Sequence, residues 1–234
     1  VHSHNLEFRE FKRDFKVTNK KHIVDEKADT FFNGILRDNG QVATRNYIGI
    51  VSTVNCSATV TKMIVEKIKY SNILKDYPNI DGIVPITHST GCGMNTESEG
   101  MQMFQRTIDG FKNHPNFSHV FVIGLGCECA QVSLFDESLK KHNRIHFLTI
   151  QDEGGTKKIV DKVLSQIKNL LTEANNVGRS SQSVGHLTLA LQCGGSDGYS
   201  GITANPALGI AADLLVKKGG SSILSETPEI YGAE

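Results

Sequence analysis

Residues 47–69 read YIGIVSTVNCSATVTKMIVEKIK, and this stretch decides the fold class. Its first eight letters form an apolar, β-rich run, which predicts a strand over residues 47–54. A helical period follows, in which Val60, Ile64 and Ile68 recur on one face, and it predicts a helix over residues 59–69. A buried strand followed by an amphipathic helix is the unit from which parallel α/β sheets are built.

The same alternation continues along the rest of the chain. It predicts further strands at residues 82–87, 120–125, 145–150, 186–191 and 222–224. It predicts further helices at residues 97–111, 156–173 and 207–218, and a weaker one at about 131–142. Pro85 cannot donate to a sheet ladder, so the second strand is expected at an edge or with a bulge. We therefore predict an α/β fold: a three-layer, largely parallel, Rossmann-like sheet with helices on both faces.

The first 38 residues differ from the rest in pattern. They are polar and aperiodic, with five phenylalanines scattered among charged residues, and they end at a turn-forming Asp38-Asn39-Gly40. We interpret residues 1–38 as the end of a preceding domain plus a linker, and residues 39–234 as an α/β domain. The chain starts at Val1 in a strand-like run and ends at Glu234 soon after a predicted strand. We expect it to be a piece of a longer enzyme.

Composition narrows the class of partner. The 234 residues carry 25 basic and 25 acidic side chains, so the formal net charge is zero. Nucleic acids and anionic membranes attract proteins with a basic excess, which argues against both as partners. No apolar run approaches the roughly 20 residues of a membrane span, and the charged first residues do not resemble a signal peptide. We expect a soluble, cytoplasmic protein that acts on a small molecule.

Four of the five cysteines come directly after predicted strands: Cys56, Cys92, Cys127 and Cys193. Parallel strands end at one edge of the sheet, and ligands bind at that edge in open α/β folds. A structural cysteine is usually a buried apolar residue with no preference for this position. The four together therefore indicate a functional site, and soft thiolates suit iron, either as a single ion or as a cluster.

The chain has no CxxC, HExxH or Walker A motif, so any metal site must be assembled from distant loops. We take Cys92, Cys127 and Cys193 as the first candidate ligands, with Cys56 as a further one. His2 and His4 stand two apart on a strand-like run and project to one face, which makes them additional candidates. The alternative for this pair is that both are exposed remnants of the preceding domain.

Acid–base candidates also follow the strands. His88 is the leading candidate by position, with the carboxylates Glu128, Asp152 and Asp197 as acids or metal ligands. The alternatives are a hydrogen-bonded loop histidine at position 88 and a turn-forming aspartate at position 197.

Glycine-rich turns let backbone amides approach an anionic ligand. The substrate-binding candidates are Gly194, Gly195, Ser196 and Asn205. Ser196 has the alternative role of a helix cap.

Several blocks of sequence are similar to the altronate/galactarate dehydratase family. They span almost the whole chain, and the longest is the CGGSDG…TANP block. The blocks are Val1-His2-Ser3-His4-Asn5-Leu6, Thr44-Arg45-Asn46, Ser89-Thr90-Gly91-Cys92-Gly93, Gly124-Leu125-Gly126-Cys127-Glu128, residues 191–206 and residues 225–234.

The resemblance implies a hydro-lyase that removes water from a sugar acid to give a 2-keto-3-deoxy acid. It implies an iron(II) cofactor, whereas the number of thiols alone favours an iron–sulfur cluster. It also implies that this is the central part of the enzyme, after an N-terminal SAF domain and before further C-terminal sequence, both of which are then partners of this chain. A homo-oligomer is left open.

Three functions compete. The first is dehydration of a sugar acid, with altronate ahead of galactarate. The second is a C–S lyase on a sulfonated hydroxy acid such as sulfolactate, which belongs to the same broad family. The third is a nonenzymatic carboxylate- or nucleotide-binding module; the first strand is followed by Asn55-Cys56-Ser57-Ala58-Thr59 rather than by GxGxxG, which argues against a dinucleotide.

Overall fold

The computed structural model describes residues 30–132, 144–192, 194 and 198–226. The chain divides into two compact units. The larger unit comprises residues 34–180, and the smaller comprises residues 1–33 and 181–234.

A four-stranded parallel sheet forms the centre of the larger unit. Its strands are β3 (Tyr47–Ser52), β4 (Gly82–Ile86), β5 (Phe117–Gly124) and β6 (Ile145–Thr149), in the order β4-β3-β5-β6. Val51 pairs with Ile86 on one side and with Val122 on the other. Since all the pairings are parallel, the four strands end at one edge of the sheet, here called the carboxyl edge.

Helices pack on this sheet through two separate apolar clusters. Ile50 and Ile123 lie in a cluster with residues of helices α1 (Asn55–Ser71) and α3 (Thr156–Asn175). Val51 and Val122 lie in the other cluster, with residues of helix α2 (Glu99–Lys112). Neighbouring residues of a strand point to opposite faces, and burial on both sides explains why β5 is buried along its whole length.

Most of the predicted elements are confirmed, with shifted ends. Helix α1 begins at Asn55, four residues before the predicted start, and β5 begins at Phe117, three residues before. Pro85 lies in β4, an edge strand of the sheet within the described residues, as its missing N–H requires. The weaker helix predicted at 131–142 lies almost wholly outside the described residues.

One strand lies inside the segment that the sequence predicts to be a linker. Strand β1 (Phe31–Leu36) pairs antiparallel with β2 (Val42–Ala43). The predicted turn at residues 38–40 joins them, and Gly40 adopts a φ of 81°, in the left-handed region that glycine favours. The sheet content is therefore largely parallel, with this antiparallel hairpin as an exception.

The C-terminal elements follow strand β7 (Ser180–Ser183). Strand β8 (Thr188–Leu191), helix α4 (Ala204–Lys217) and strand β9 (Ser221–Leu224) form a βαβ unit, in which the two strands pair in parallel. Both strands and the helix were predicted, but the helix begins at Ala204, three residues before its predicted start. Among the described residues, α4 has no buried residue.

Candidate functional site

The site centres on the carboxyl ends of β3 and β5. The chain leaves β3 through α1 to reach β4 on one side, and β5 then lies on the other side of β3. This reversal of strand order is the switch point at which open α/β sheets bind ligands. The topology therefore indicates where a ligand would lie before any side chain is considered.

Helix α1 starts at this switch point. Its N-cap residue, Val54, makes no side-chain capping hydrogen bond among the described residues, and the first turn carries no acidic side chain. Uncapped backbone amides and the positive end of the helix dipole favour a bound anion. Ser57 fixes the position of this turn, because its hydroxyl donates to the carbonyl of Ile123 at 2.8 Å. Cys56, in the same turn, is exposed.

His88 fastens the loop after β4 to β3. Its Nε2 lies 2.8 Å from the carbonyl oxygen of Ser52, and its Nδ1 lies 3.3 Å from the amide nitrogen of Thr90. A carbonyl can only accept, so the proton is on Nε2 and Nδ1 accepts from Thr90. The ring meets that of Phe104 edge-on, with centroids 4.9 Å apart. Both ring nitrogens of His88 thus have backbone partners.

The same loop approaches β3 very closely at Gly91. Its φ is 98°, and a Cβ at this position would lie 2.5 Å from the carbonyl oxygen of Thr53 and 2.9 Å from the Cα of Val54. Only glycine fits this conformation and this space. The amide of Asn55 also donates to the carbonyl of Thr90 at 2.9 Å. Cys92, the next residue, is exposed beside this junction.

Glu128 organises the loop after β5. Its side chain is buried, at 3% exposure. Oε1 accepts from the Thr53 hydroxyl at 2.8 Å and from the Leu125 amide at 3.0 Å, while Oε2 accepts from the Gly126 amide at 2.6 Å. One carboxylate therefore ties the loops after β3 and β5 together across the switch point.

The other residues of this loop divide between solvent and core. Cys127 is exposed, whereas Cys129 is half-buried and packs against the apolar cluster on the α2 side. The loop is also joined to the end of β6, since the amide of Gln151 donates to the carbonyl of Leu125 at 3.0 Å. Asp152, which follows, is exposed. In the described part of the chain, the carboxyl edge thus carries exposed thiols and the exposed carboxylate of Asp152.

The predicted site residues fall into three groups. Five of them lie in the larger unit, on segments that hydrogen bonds or close backbone contact join at the carboxyl edge: Cys56 in the first turn of α1, and His88, Cys92, Cys127 and Glu128 on loops. Gly194 and Asn205 lie after β8 and in α4, in the smaller unit. The remaining six lie outside the described residues: His2, His4, Cys193, Gly195, Ser196 and Asp197.

Within the part of the chain that the structure describes, no three His, Cys, Asp or Glu side chains form a group that could hold a metal ion. The described thiols alone therefore do not fit an iron site.

The sequence did not predict the structural roles of Thr53 and of the segment at residues 44–46. Thr53 was not singled out, although it follows a strand and holds Glu128. The family-like segment Thr44-Arg45-Asn46 lies at the opposite edge of the sheet, where buried Asn46 donates to the carbonyls of Asn79 at 2.8 Å and Ala174 at 2.9 Å. This segment holds the fold together and is not part of the carboxyl-edge site.

The described helices include none that is both long and apolar enough to cross a membrane.

The four-stranded parallel sheet and the helices packed against it define an α/β protein. The chain belongs to the D-galactarate dehydratase/altronate hydrolase family: the family's second domain matches residues 34–175, and its C-terminal domain matches residues 184–234. The predicted family resemblance is confirmed.

Three relatives show which enzymes this chain is similar to. An altronate dehydratase from Escherichia coli is 33% identical over 252 residues, covering 100% of this chain and 47% of the relative. A galactarate dehydratase (L-threo-forming) from the same organism is 36% identical over 210 residues, covering 86% of this chain and 40% of the relative. A (2R)-sulfolactate sulfo-lyase subunit beta from Chromohalobacter salexigens is 25% identical over 212 residues, covering 90% of this chain and 50% of the relative. The chain spans about half or less of the length of these relatives.

Proposed function

We propose that this chain is part of a cytoplasmic hydro-lyase of sugar-acid catabolism. The reaction removes the proton α to the carboxylate and expels the β-hydroxyl of an altronate- or galactarate-type acid, giving a 2-keto-3-deoxy acid. The observation that carries the proposal is the family match over residues 34–175 and 184–234. The altronate and galactarate relatives, at 33% and 36% identity, support a sugar acid as the substrate.

The proposed arrangement is three-layered and Rossmann-like. Its support is the alternation along β3 and β5, in which neighbouring residues pack into different clusters, one with α1 and α3 and the other with α2. In such an arrangement the N-terminus of α1 points at the switch point. The substrate carboxylate would bind there, because the first turn of α1 has no side-chain cap and no acidic residue, so the Cys56 amide and the positive end of the helix dipole favour an anion.

Proton transfer needs groups that are not already committed to the backbone. Both nitrogens of His88 are engaged by backbone atoms, of Ser52 in β3 and of Thr90 in its own loop, and both oxygens of Glu128 accept from amides of its own loop. These contacts support a positioning role for both residues, and a direct catalytic role for either stays a prediction. Asp152 and Asp197 are then the proposed acid–base groups, the first because it is exposed at the carboxyl edge.

Iron(II) is part of the proposal through the family resemblance alone. When bound, it would supply Lewis-acid stabilisation of the developing enediolate. The described donors do not form a complete set, so the ligands would include residues such as Cys193, His2 or His4, or chain beyond this sequence. Because a partial donor set binds metal poorly, the 234-residue chain alone is proposed to have little or no turnover.

The experiment is an assay of the anaerobically purified full-length enzyme. Its iron and sulfide contents are measured first, and these distinguish a single ion from a cluster. It is then incubated separately with altronate and galactarate, and formation of the 2-keto-3-deoxy acid is followed. Absence of product from both acids would refute the sugar-acid assignment.

A C–S lyase is the second candidate. The sulfo-lyase relative aligns over 90% of this chain, which favours testing it, but its 25% identity is lower than that of the dehydratases. The same enzyme preparation is therefore incubated with sulfolactate, and sulfite is measured. Sulfite release without sugar-acid turnover would replace the first candidate with this one.

The thiols allow a sharper test with a matched control. Cys92→Ala and Cys127→Ala each remove an exposed thiol at the carboxyl edge. Cys129→Ala removes a thiol that packs against the core instead. If the edge thiols contribute to the site, the first two variants lose iron and turnover at unchanged stability, and the third keeps its iron.

A further inference from the structure

A cavity lies at the end of the sheet opposite the carboxyl edge. Its volume is about 610 Å³, within the range of small-molecule sites. Strand β5 is eight residues long, which separates the two edges by about 26 Å. The cavity is lined by residues of the larger unit: Leu36, Arg37, Asp38, Asn39, Ser118, His119, Arg144, Glu173, Ala174, Asn176 and Val177.

Two arginines in this lining have no carboxylate partner within 4 Å among the described residues. Arg37 donates from Nε to the carbonyl of Pro115 at 2.9 Å and from Nη2 to Oδ1 of Asn46 at 3.0 Å. Arg144 donates from Nη1 to the carbonyl of Phe117 at 3.3 Å. These bonds fix both guanidinium groups, yet Nη1 of Arg37 and Nε of Arg144 keep donors for a ligand.

The positive charges of these arginines reinforce one another. Burial lowers the pKa of both; the charge of Arg144 lowers the pKa of Arg37 further, and the charge of Asp38 opposes this with a smaller effect. A negative charge between them would relieve this repulsion.

A buried histidine in the same lining has one ring nitrogen without a hydrogen-bond partner among the described residues. His119 is 6% exposed, and its Nδ1 has no partner within the described residues. Its ring stacks on that of His146, with centroids 5.8 Å apart. Burial, with smaller effects from His146 and the two arginines, lowers the pKa of His119 to about 4, so the ring is neutral at pH 7. Because His119 lines the cavity, its ring reports on the charge of a ligand bound there.

We propose that this amino-edge cavity binds a small oxyanion that also carries hydroxyl groups, either a hydroxy acid or hydrogen phosphate. Arg37 and Arg144 would hold the anionic oxygens, since guanidinium groups match carboxylate and phosphate geometry. The lining also contains the carboxylates Asp38 and Glu173. These disfavour a highly charged ligand but accept hydrogen bonds from hydroxyl groups. The site is separate from the carboxyl edge and does not depend on the proposed reaction.

The test uses the full chain with isotope-labelled histidine and follows the His119 ring signals by NMR. Sodium phosphate, sodium gluconate and sodium acetate are titrated separately to about 20 mM at pH 7. We expect phosphate or gluconate to shift the His119 signals in a saturable way, and acetate to do so more weakly because it has no hydroxyl. Bound anion should also raise the pKa of His119, since negative charge favours the imidazolium; Glu173 and His146 are the other titratable groups facing the ring.

Variants locate the site. Arg144→Gln should weaken binding at least tenfold, whereas Arg106→Gln, which removes an exposed arginine on α2 outside the cavity lining, should leave it unchanged. Asn176→Asp adds a negative charge to the cavity at an exposed position and should also weaken binding. If Arg144→Gln does not fold, Asn176→Asp provides the test in its place. No shift of His119 with phosphate or gluconate would overturn the proposal, as would equal affinities in Asn176→Asp and the wild-type chain.

Discussion

Replacing Glu128 by glutamine removes one charge without changing the size of the side chain, and it tests how the carboxyl edge is held together. The carboxylate accepts three hydrogen bonds, from the hydroxyl of Thr53 and the amides of Leu125 and Gly126. A glutamine can keep its oxygen toward Thr53 and Leu125, but its NH₂ group then faces the amide donor of Gly126. One charge-assisted bond is lost and one buried donor is left unpaired, which together cost about 2–4 kcal/mol.

The assay is urea unfolding of Glu128→Gln at pH 7, with Glu97→Gln as the matched control. Glu97 is exposed in the loop before α2, so its replacement should change the free energy of unfolding by less than about 0.5 kcal/mol. A loss of stability in Glu128→Gln no larger than in Glu97→Gln would refute the loop-ordering role.

A second pair of variants separates loop ordering from acid catalysis in the full-length enzyme. Thr53→Val removes a donor but leaves the Glu128 carboxylate in place, whereas Thr53→Ser keeps the hydroxyl. If Glu128 positions the loop, Thr53→Val lowers turnover and stability together, and Thr53→Ser restores both. If Glu128 acts as the acid, Glu128→Gln removes one limb of the pH–rate profile, and Thr53→Val shifts that limb without removing it.

Three further predictions concern pH, backbone fit and the loop after β4. In the wild-type chain, the pKa of His119 is about 4 when folded and about 6.5 when unfolded, so between pH 4 and pH 6.5 the unfolded state binds more protons. The free energy of unfolding should therefore fall by up to about 3 kcal/mol as the pH is lowered from above 6.5 to 4. His119→Phe should lose this pH dependence in urea titrations. Gly91→Ala should destabilise by more than about 2 kcal/mol through its contact with Thr53, whereas Gly93→Ala, with a φ of 67° and open space, should cost about 1 kcal/mol. His88→Gln should lower both stability and full-length turnover if the ring is a clamp; lost turnover at unchanged stability would instead support a base.

The sequence predicted the central sheet because its strands are continuous apolar runs, which burial on both faces requires. It misplaced elements whose ends lack that signal. The first turn of α1, at Asn55, Cys56 and Ser57, has no apolar periodicity, so the helix was predicted to begin at residue 59. Strand β1 was missed because its phenylalanines, Phe31 and Phe32, follow a charged segment without alternation. The four-residue error in α1 also hid the helix terminus that lies at the switch point.

The positions of the candidate residues could be predicted, but their partners could not. A residue that follows a parallel strand must lie at the carboxyl edge, and this placed His88, Cys92, Cys127 and Glu128 there. The hydrogen bonds of His88 and Glu128 go mainly to backbone atoms, such as the Ser52 carbonyl and the Gly126 amide, and no local spacing encodes a backbone partner. Chemistry inferred from residue type alone therefore overstates how many of these groups remain available to a substrate.

The family-like motifs lie at both edges of the sheet, and at each edge some of their polar residues hold the structure together. At the amino edge, Asn46 bonds to Arg37, and its amide joins the loop before β4 to the end of α3. Arg37 in turn lines the amino-edge cavity, so the residue that secures the sheet also orients a cavity arginine. At the carboxyl edge, Glu128 and Gly91 hold the loops close to β3, which leaves Cys92 and Cys127 exposed beside the α1 terminus. Polar residues that resemble catalytic groups thus act first as supports, and the reactive groups of the complete site would be those that the loops leave exposed.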